Sequence, residues 1–197
     1  MSIATVTPGG STIGEGGIPL EAVLRGRRSV RDFTPEPVGE ETIRELIDAA
    51  VRAPSASNRQ PWSFTVVLDR ALLDRLSEAA KAYLVASDPE RYGRLADPAR
   101  HLFHHAPALV LISGAVADPW AVEDCAVAAQ NLMLAAAARG LGTCWIGYAQ
   151  RYLETAEGQR LLALPADFVH VAPLVVGHPA SVPELTERGA PEIRWLW

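Results

Sequence analysis

The sequence predicts an α+β fold in which helices pack on a central mixed sheet. Two observations carry this expectation. Four short apolar runs, at 64–68, 108–113, 143–146 and 168–176, are rich in branched and aromatic residues and read as buried strands. Between them lie stretches whose apolar residues recur at helical spacing, and the two kinds of segment alternate irregularly, without a strict strand–helix repeat. Of the 197 residues, 49% are apolar, enough to form a substantial core. The formal net charge of -5 excludes the basic footprint of a nucleic-acid binder. No apolar run reaches membrane-spanning length, residues 125–138 coming closest. The N-terminus shows no charged segment followed by an apolar run, so no signal peptide is expected. Cys125 and Cys144 are the only cysteines and make no disulfide framework. These features point to a cytoplasmic protein with neither membrane nor nucleic acid among its partners.

The elements follow in order. Residues 1–17 are rich in Gly, Ser and Thr and are expected to form a disordered N-terminal tail, with residues 18–197 as a single domain. A first helix starts at Pro19. The second, over 40–52, presents Ile43, Leu46, Ile47, Ala50 and Val51 on one face, with Glu40 and Glu41 suiting its N-terminal dipole. A third helix spans 71–86. Residues 87–100 are predicted to be an exposed excursion, irregular or briefly helical. Asp118 and Pro119 are expected to cap and open the longest helix, which runs to Arg139. That helix is apolar nearly all round, which predicts burial on all sides, part of it by a second subunit. A helical stretch over 152–162 is weakened by Gly158. The C-terminal arm, 181–197, ends in Trp195 and Trp197 and is expected to wrap onto the body or a partner chain.

Three stretches carry the chemistry. Pro54-Ser55-Ala56-Ser57-Asn58-Arg59-Gln60-Pro61-Trp62 joins a helix to a strand. Its prolines fix φ at both ends, so that Ala53 is expected to end the helix and Gln60 to be extended. Its hydroxyls and amides suit a flat ligand with polar edges, although composition alone fits a well-made connection as well. Arg25, Arg27, Arg28 and Arg31, with Ser29 among them, form a plausible phosphate grip. Gly140 to Gly147 would let backbone approach a ligand closely. In this order and spacing, over residues 18 to 197, the three stretches together with a basic residue near the C-terminus resemble the nitroreductase family of flavin enzymes.

The resemblance implies a mainly antiparallel, nitroreductase-like FMN-binding fold, an intertwined homodimer with FMN at the subunit interface, and a lid at 87–100 over the substrate side of the flavin. Arg27 and Ser29 would hold the FMN phosphate. Arg31 would lie at the phosphate or near the N1 and O2 edge, and Arg28 would add a backbone contact or a charge. Pro54, Ser55, Ala56 and Asn58 would come from the other subunit, with Gln60 bracing their loop. The backbone of Ile146 and Gly147 would face N5 and O4. Arg188, or else Arg194, would reach the phosphate. Ile146 stands where some members carry Glu, so no side chain is singled out as acid or base and the chemistry falls to FMN. The implied activity is that of an oxidoreductase: NADH or NADPH reduces the flavin, which then reduces a small-molecule electron acceptor such as a nitroaromatic or quinone by ping-pong exchange. Alternatives are a specialised relative (reductive dehalogenase, flavin-cleaving enzyme or azoline oxidase) and a non-catalytic FMN-binding or storage protein.

Blander readings stand beside these. A run of arginines is commonly a solvated surface. Trp62 and Trp145 read as core aromatics and the two cysteines as small buried residues. His101, His104 and His105 would share a face if helical, but no metal site is expected. Asn131 is expected to brace its helix structurally.

Overall fold

A computed structural model describes residues 18–197; the tail expected over 1–17 lies outside the described residues. The elements are α1 (Leu20–Gly26), α2 (Glu40–Ala50), β1 (Trp62–Val67), α3 (Arg70–Ser87), α4 (Pro89–Tyr92), β2 (Ala108–Ala115), α5 (Ala121–Ala138), β3 (Gly142–Trp145), α6 (Gly147–Leu153), α7 (Ala156–Leu161) and β4 (Phe168–Gly177). Short 3-10 turns lie at Ala56–Asn58 and Gly93–Ala96. The sheet order is β1-β2-β4-β3, with every neighbouring pair antiparallel. The mixed character expected from the sequence reduces to one isolated parallel bridge, Ser29 to Thr143, beyond the β3 edge.

Both faces of the sheet are covered, which is why the central strands read as continuous apolar runs. Side chains alternate between faces along each strand. Leu109, Leu111 and Val175 join the core formed with α3 and α6, where Leu73, Leu76, Tyr152 and Leu153 are buried. Val110, Ile112, Leu174 and Val176 join the core formed with α2 and α5, where Ile43, Leu46, Ala129 and Leu132 are buried. Asp69 caps α3, accepting from the amides of Ala71 at 2.8 Å and Leu72 at 3.2 Å.

Several expectations need correction. Helix α2 ends at Ala50, and turns carry the chain through Ala53. Gln60 is not extended: its φ is 51°, and Ser57 and Asn58 are also left-handed. Hydrogen bonds hold this conformation, because the Gln60 amide donates to Ser55 Oγ at 3.0 Å and Gln60 Nε2 donates to Asn58 Oδ1 at 3.1 Å. Asp118 forms a turn before α5, accepting from the Trp120 amide, so the helix starts later than its Asp-Pro pair suggests. The stretch over 152–162 splits into α6 and α7. Gly158 is a requirement there, since a Cβ on it would run into the carbonyl oxygen of Tyr152. Within the chain α5 is buried on one side only; Val122 and Val127 are exposed. The arm lies beside α1 at residues 185–188, while Trp195 and Trp197 at its end are exposed, stacked on each other at 5.8 Å.

Candidate functional site

The arginine motif follows directly from α1. Arg27 is the C-cap of that helix, and the chain then runs alongside the edge strand β3. The Val30 amide donates to the Thr143 carbonyl at 2.9 Å, the Thr34 amide to the His178 carbonyl at 2.8 Å and the Ala180 amide to the Asp32 carbonyl at 2.9 Å. This close approach depends on Gly142, where a Cβ would meet the Val30 side chain at 2.8 Å. Residues 29–34 are thereby laced between β3 and the segment that follows β4. The arginine motif is thus fixed on a sheet edge, not on a loose loop.

Beside this edge opens a cleft of about 750 Å³, a size suited to a small-molecule ligand. Arg31, Cys144, Trp145, Ile146 and Gly147 line one wall, and Arg94, Leu95 and Arg100 of the 87–100 excursion line the other. The Cys144 thiol marks where the arginine motif converges. Burial pushes it up, while Arg31, Arg27 and Ser29 pull it down. The Ile146 amide donates to the Pro173 carbonyl at 2.8 Å. Gly147 opens α6, in the first turn where amides have no helical acceptor.

The other sequence-nominated residues lie elsewhere. Arg28 turns back, donating to the carbonyls of Arg25 at 2.8 Å and Arg27 at 2.6 Å. It lines a separate hollow with Arg25 and Arg188, so Arg188 does not meet Arg27, Ser29 or Arg31 there. Pro54, Ser55, Ala56, Asn58 and Gln60 precede β1, at the far edge of the sheet, and none lines the cleft. Three strand-to-strand steps and one more to Ser29 put roughly 19 Å between these edges. Ser55 Oγ and Asn58 Oδ1 are taken up inside the loop, and Gln60 braces it as expected. Asn131 Nδ2 donates to the Ala49 carbonyl at 3.3 Å, a structural brace.

The structure adds residues that the sequence did not single out. Asp124, buried in the first turn of α5, accepts from the Ala56 amide at 3.2 and 3.1 Å and ties down the Pro54 loop. Tyr148 lines the cleft beside Gly147 and accepts from Arg94 at 3.3 Å. Only the acidic position of Asp124 within an apolar helix hinted at its tether.

The histidines are not helical; His104 and His105 both have φ near 55°. His101, His105 and Asp74 bring one ligand atom each within 4.8 Å of one another. His101 Nδ1 accepts from the amides of Phe103 and His105, which places its proton on Nε2, 3.1 Å from Asp74. A metal-bound imidazole would need the opposite arrangement, with Nδ1 as the donor. The cluster is therefore a hydrogen-bonded His101–Asp74 pair, with the His105 ring tilted against His101 at 4.3 Å. Burial holds the pKa of His101 and of His104 below the usual value; His105 adds to this for His101 and Arg31 for His104.

Comparison with known proteins identifies the family and the fold. The family model described as the nitroreductase family matches residues 24–178. An Archaeoglobus fulgidus relative, whose name gives the activities NADH dehydrogenase/NAD(P)H nitroreductase, is 30% identical over 171 residues, 82% of this chain and 86% of its own. A 5,6-dimethylbenzimidazole synthase from Rhodospirillum rubrum is 31% identical over 192 residues, 86% of this chain and 88% of its own. The crystal structure of an FMN-bound nitroreductase from Bacteroides fragilis has a TM-score of 0.79 at 27% identity, covering 87% of this chain and 94% of that one.

Proposed function

The chain belongs to the nitroreductase family, and on that premise we propose that it is an FMN-dependent NAD(P)H oxidoreductase, working as a cytoplasmic homodimer on a small-molecule electron acceptor. The observation that carries the reading is the cleft at the β3 edge, with Arg31, Ile146 and Gly147 in its wall and Arg27 and Ser29 at Cys144. The residues fit FMN. Guanidinium forks and a serine hydroxyl match a phosphate. The cleft wall has one carboxylate, Asp32, which is engaged by Ser181 Oγ at 2.7 Å. When bound, FMN supplies the hydride chemistry between NAD(P)H and the acceptor.

This chain's own residues bind and orient. Arg27 and Ser29 hold the phosphate, and Arg31 sets a positive charge toward the pyrimidine edge. Gly147 offers the amide that Ile146, already bonded to Pro173, cannot. The Pro54 loop sits at the opposite sheet edge, so it can serve this cleft only from a second copy. Val122, Val127, Trp195 and Trp197 are exposed apolar surface of the kind a partner buries. Residues 18–197 then act as one domain, with 87–100 as its lid and 181–197 as its arm. Arg188, beside Arg25 and Arg28, reaches a phosphate only if the arm moves on dimerisation. Among the described residues no helix is long and apolar enough to cross a membrane.

Nitroaromatics and quinones are the acceptor classes we propose. Donor and acceptor use the cleft in turn, and initial-rate lines at several acceptor concentrations should run parallel. The primary test is an anaerobic absorption spectrum of the purified protein before and after NADH or NADPH. A flavin spectrum that bleaches supports the reading; absence of flavin after incubation with FMN overturns it. A second reading is favoured by the Rhodospirillum rubrum relative, which matches as much of the chain as the nitroreductases do. Appearance of 5,6-dimethylbenzimidazole during aerobic turnover, detected by mass spectrometry, would put that reading first.

A further inference from the structure

Cationic side chains dominate the charged lining of the cleft, and most of them are already engaged. Lys81 Nζ lies 2.9 Å from Glu78 and donates to the Arg100 carbonyl at 2.8 Å. Arg100 lies 3.9 Å from Asp97. Arg31 stands on the wall assigned to the cofactor. His101 and His104 add little charge near neutral pH, because burial lowers their pKa. There remains Arg94, on the 3-10 turn Gly93–Ala96 of the lid, which has no ion-pair partner among the described residues. Its Nη2 donates to Tyr148 Oη at 3.3 Å, spanning from the lid to the first turn of α6, one residue past Gly147.

The position of this pair is built. Tyr148 packs edge-on against Tyr92, with ring centroids 5.7 Å apart at 81°. Tyr92 is only 3% exposed, and its hydroxyl accepts from Arg151 at 3.3 Å. It packs with Leu84 and Leu95 in a small core of the lid's own. A guanidinium that meets only a neutral hydroxyl keeps most of its capacity for a charged partner.

We propose that Arg94 and Tyr148 form an anion grip over the cleft, which selects reactants bearing an anionic group. The group is a carboxylate on the acceptor or the pyrophosphate of the nicotinamide donor. The guanidinium fork takes two oxygens of such a group, and the Tyr148 hydroxyl, released from Arg94, donates to it. The inference rests on the oxidoreductase reading and names the specificity of the same site.

Calorimetric titration of the flavin-loaded protein with benzoate and with benzamide compares an anionic and a neutral ligand of one shape. Wild type should bind benzoate more tightly. Arg94→Gln should weaken benzoate relative to benzamide by about tenfold or more. Arg94→Lys should recover part of that ratio, having the charge without the fork. Arg91→Gln, which removes a lid charge outside the cleft lining, should leave the ratio unchanged. Rapid-mixing reduction by NADH or NADPH, set against the uncharged donor N-benzyl-1,4-dihydronicotinamide, locates the anion. A loss in Arg94→Gln for the dinucleotides as well as for benzoate assigns the grip to the donor; a loss confined to benzoate assigns it to the acceptor. Equal losses for charged and neutral ligands, or none for either, overturn the proposal. Failure of the parent reading looks different, as wild type would bind no FMN or would not bleach with any donor.

Discussion

Asp124 places both carboxylate oxygens on the Ala56 amide, across a separation of 68 positions. Removing the carboxylate leaves a backbone donor without its acceptor in a half-buried loop, at a cost of about 1–3 kcal/mol. Asp124→Ala should therefore lower the urea midpoint and weaken FMN binding, while Asp124→Asn keeps an acceptor and most of both. A midpoint equal to wild type in the alanine variant would show that the tether carries nothing. Histidines set the acid side of stability. Burial lowers the pKa of His101, His104 and His170 below 6.5; His170 is fully buried, with Nδ1 2.9 Å from Ser113 Oγ. A histidine with a depressed folded pKa takes up a proton more readily once unfolded. Its stability contribution is intact above the unfolded value of 6.5 and is lost as pH falls toward the folded one. Urea midpoints should fall between pH 7.5 and pH 5, and a flat profile over that range would refute the assignment. At this scale the bracing roles of Gln60 and Asn131 were legible, because local chemistry names them. The sequence hid Asp124 and Tyr148, whose partners are far away along the chain.

The lid shows how far a short element can be held by few side chains. Its helical turns are too short for self-sustaining helix, so Tyr92 and Leu95 against Leu84 supply the anchor. Tyr92→Ala should release it, and trypsin should then cut at Arg91, Arg94 or Arg100 at concentrations that leave wild type intact. Unchanged cleavage would show that Lys81, which donates to the Arg100 carbonyl, suffices alone. The α3 cap gives a smaller, cleaner effect: Asp69→Ala should cost about 1 kcal/mol, read as a lower thermal midpoint. Helices and strands were legible from periodicity to within a few residues. The misreadings have a common cause, in that a turn held by side-chain hydrogen bonds (Asp118 before α5, Gln60 before Pro61) overrides the backbone preference that sequence supplies.

At the scale of the whole molecule, the two motifs that read as one site in the sequence occupy opposite edges of the sheet. The proposed second copy would reconcile them, and the exposed arm and the outer face of α5 are the apolar surfaces open to it. Deleting residues 181–197, or changing Val127 to Glu, should shift the protein toward monomer in sedimentation and strip its flavin in parallel. A monomer that keeps full flavin would separate the cofactor from the interface. The sequence supplied the motifs and an apolar α5 but no distances; only the sheet order separates the two motifs within one chain.

The lacing of residues 29–34 also bears on synthesis. These residues leave the ribosome early, yet their partners are Thr143 and residues 178–180, and the Ser181 hydroxyl reaches back 149 positions to Asp32. A nascent chain paused before Phe168 already carries every arginine of the motif, but not the strand that seats β3 or the segment that clamps Asp32. Contacts this remote are slow to close. Closure of this edge is thus deferred until the segment after β4 has been made, and a product truncated before it keeps the arginine motif unlaced.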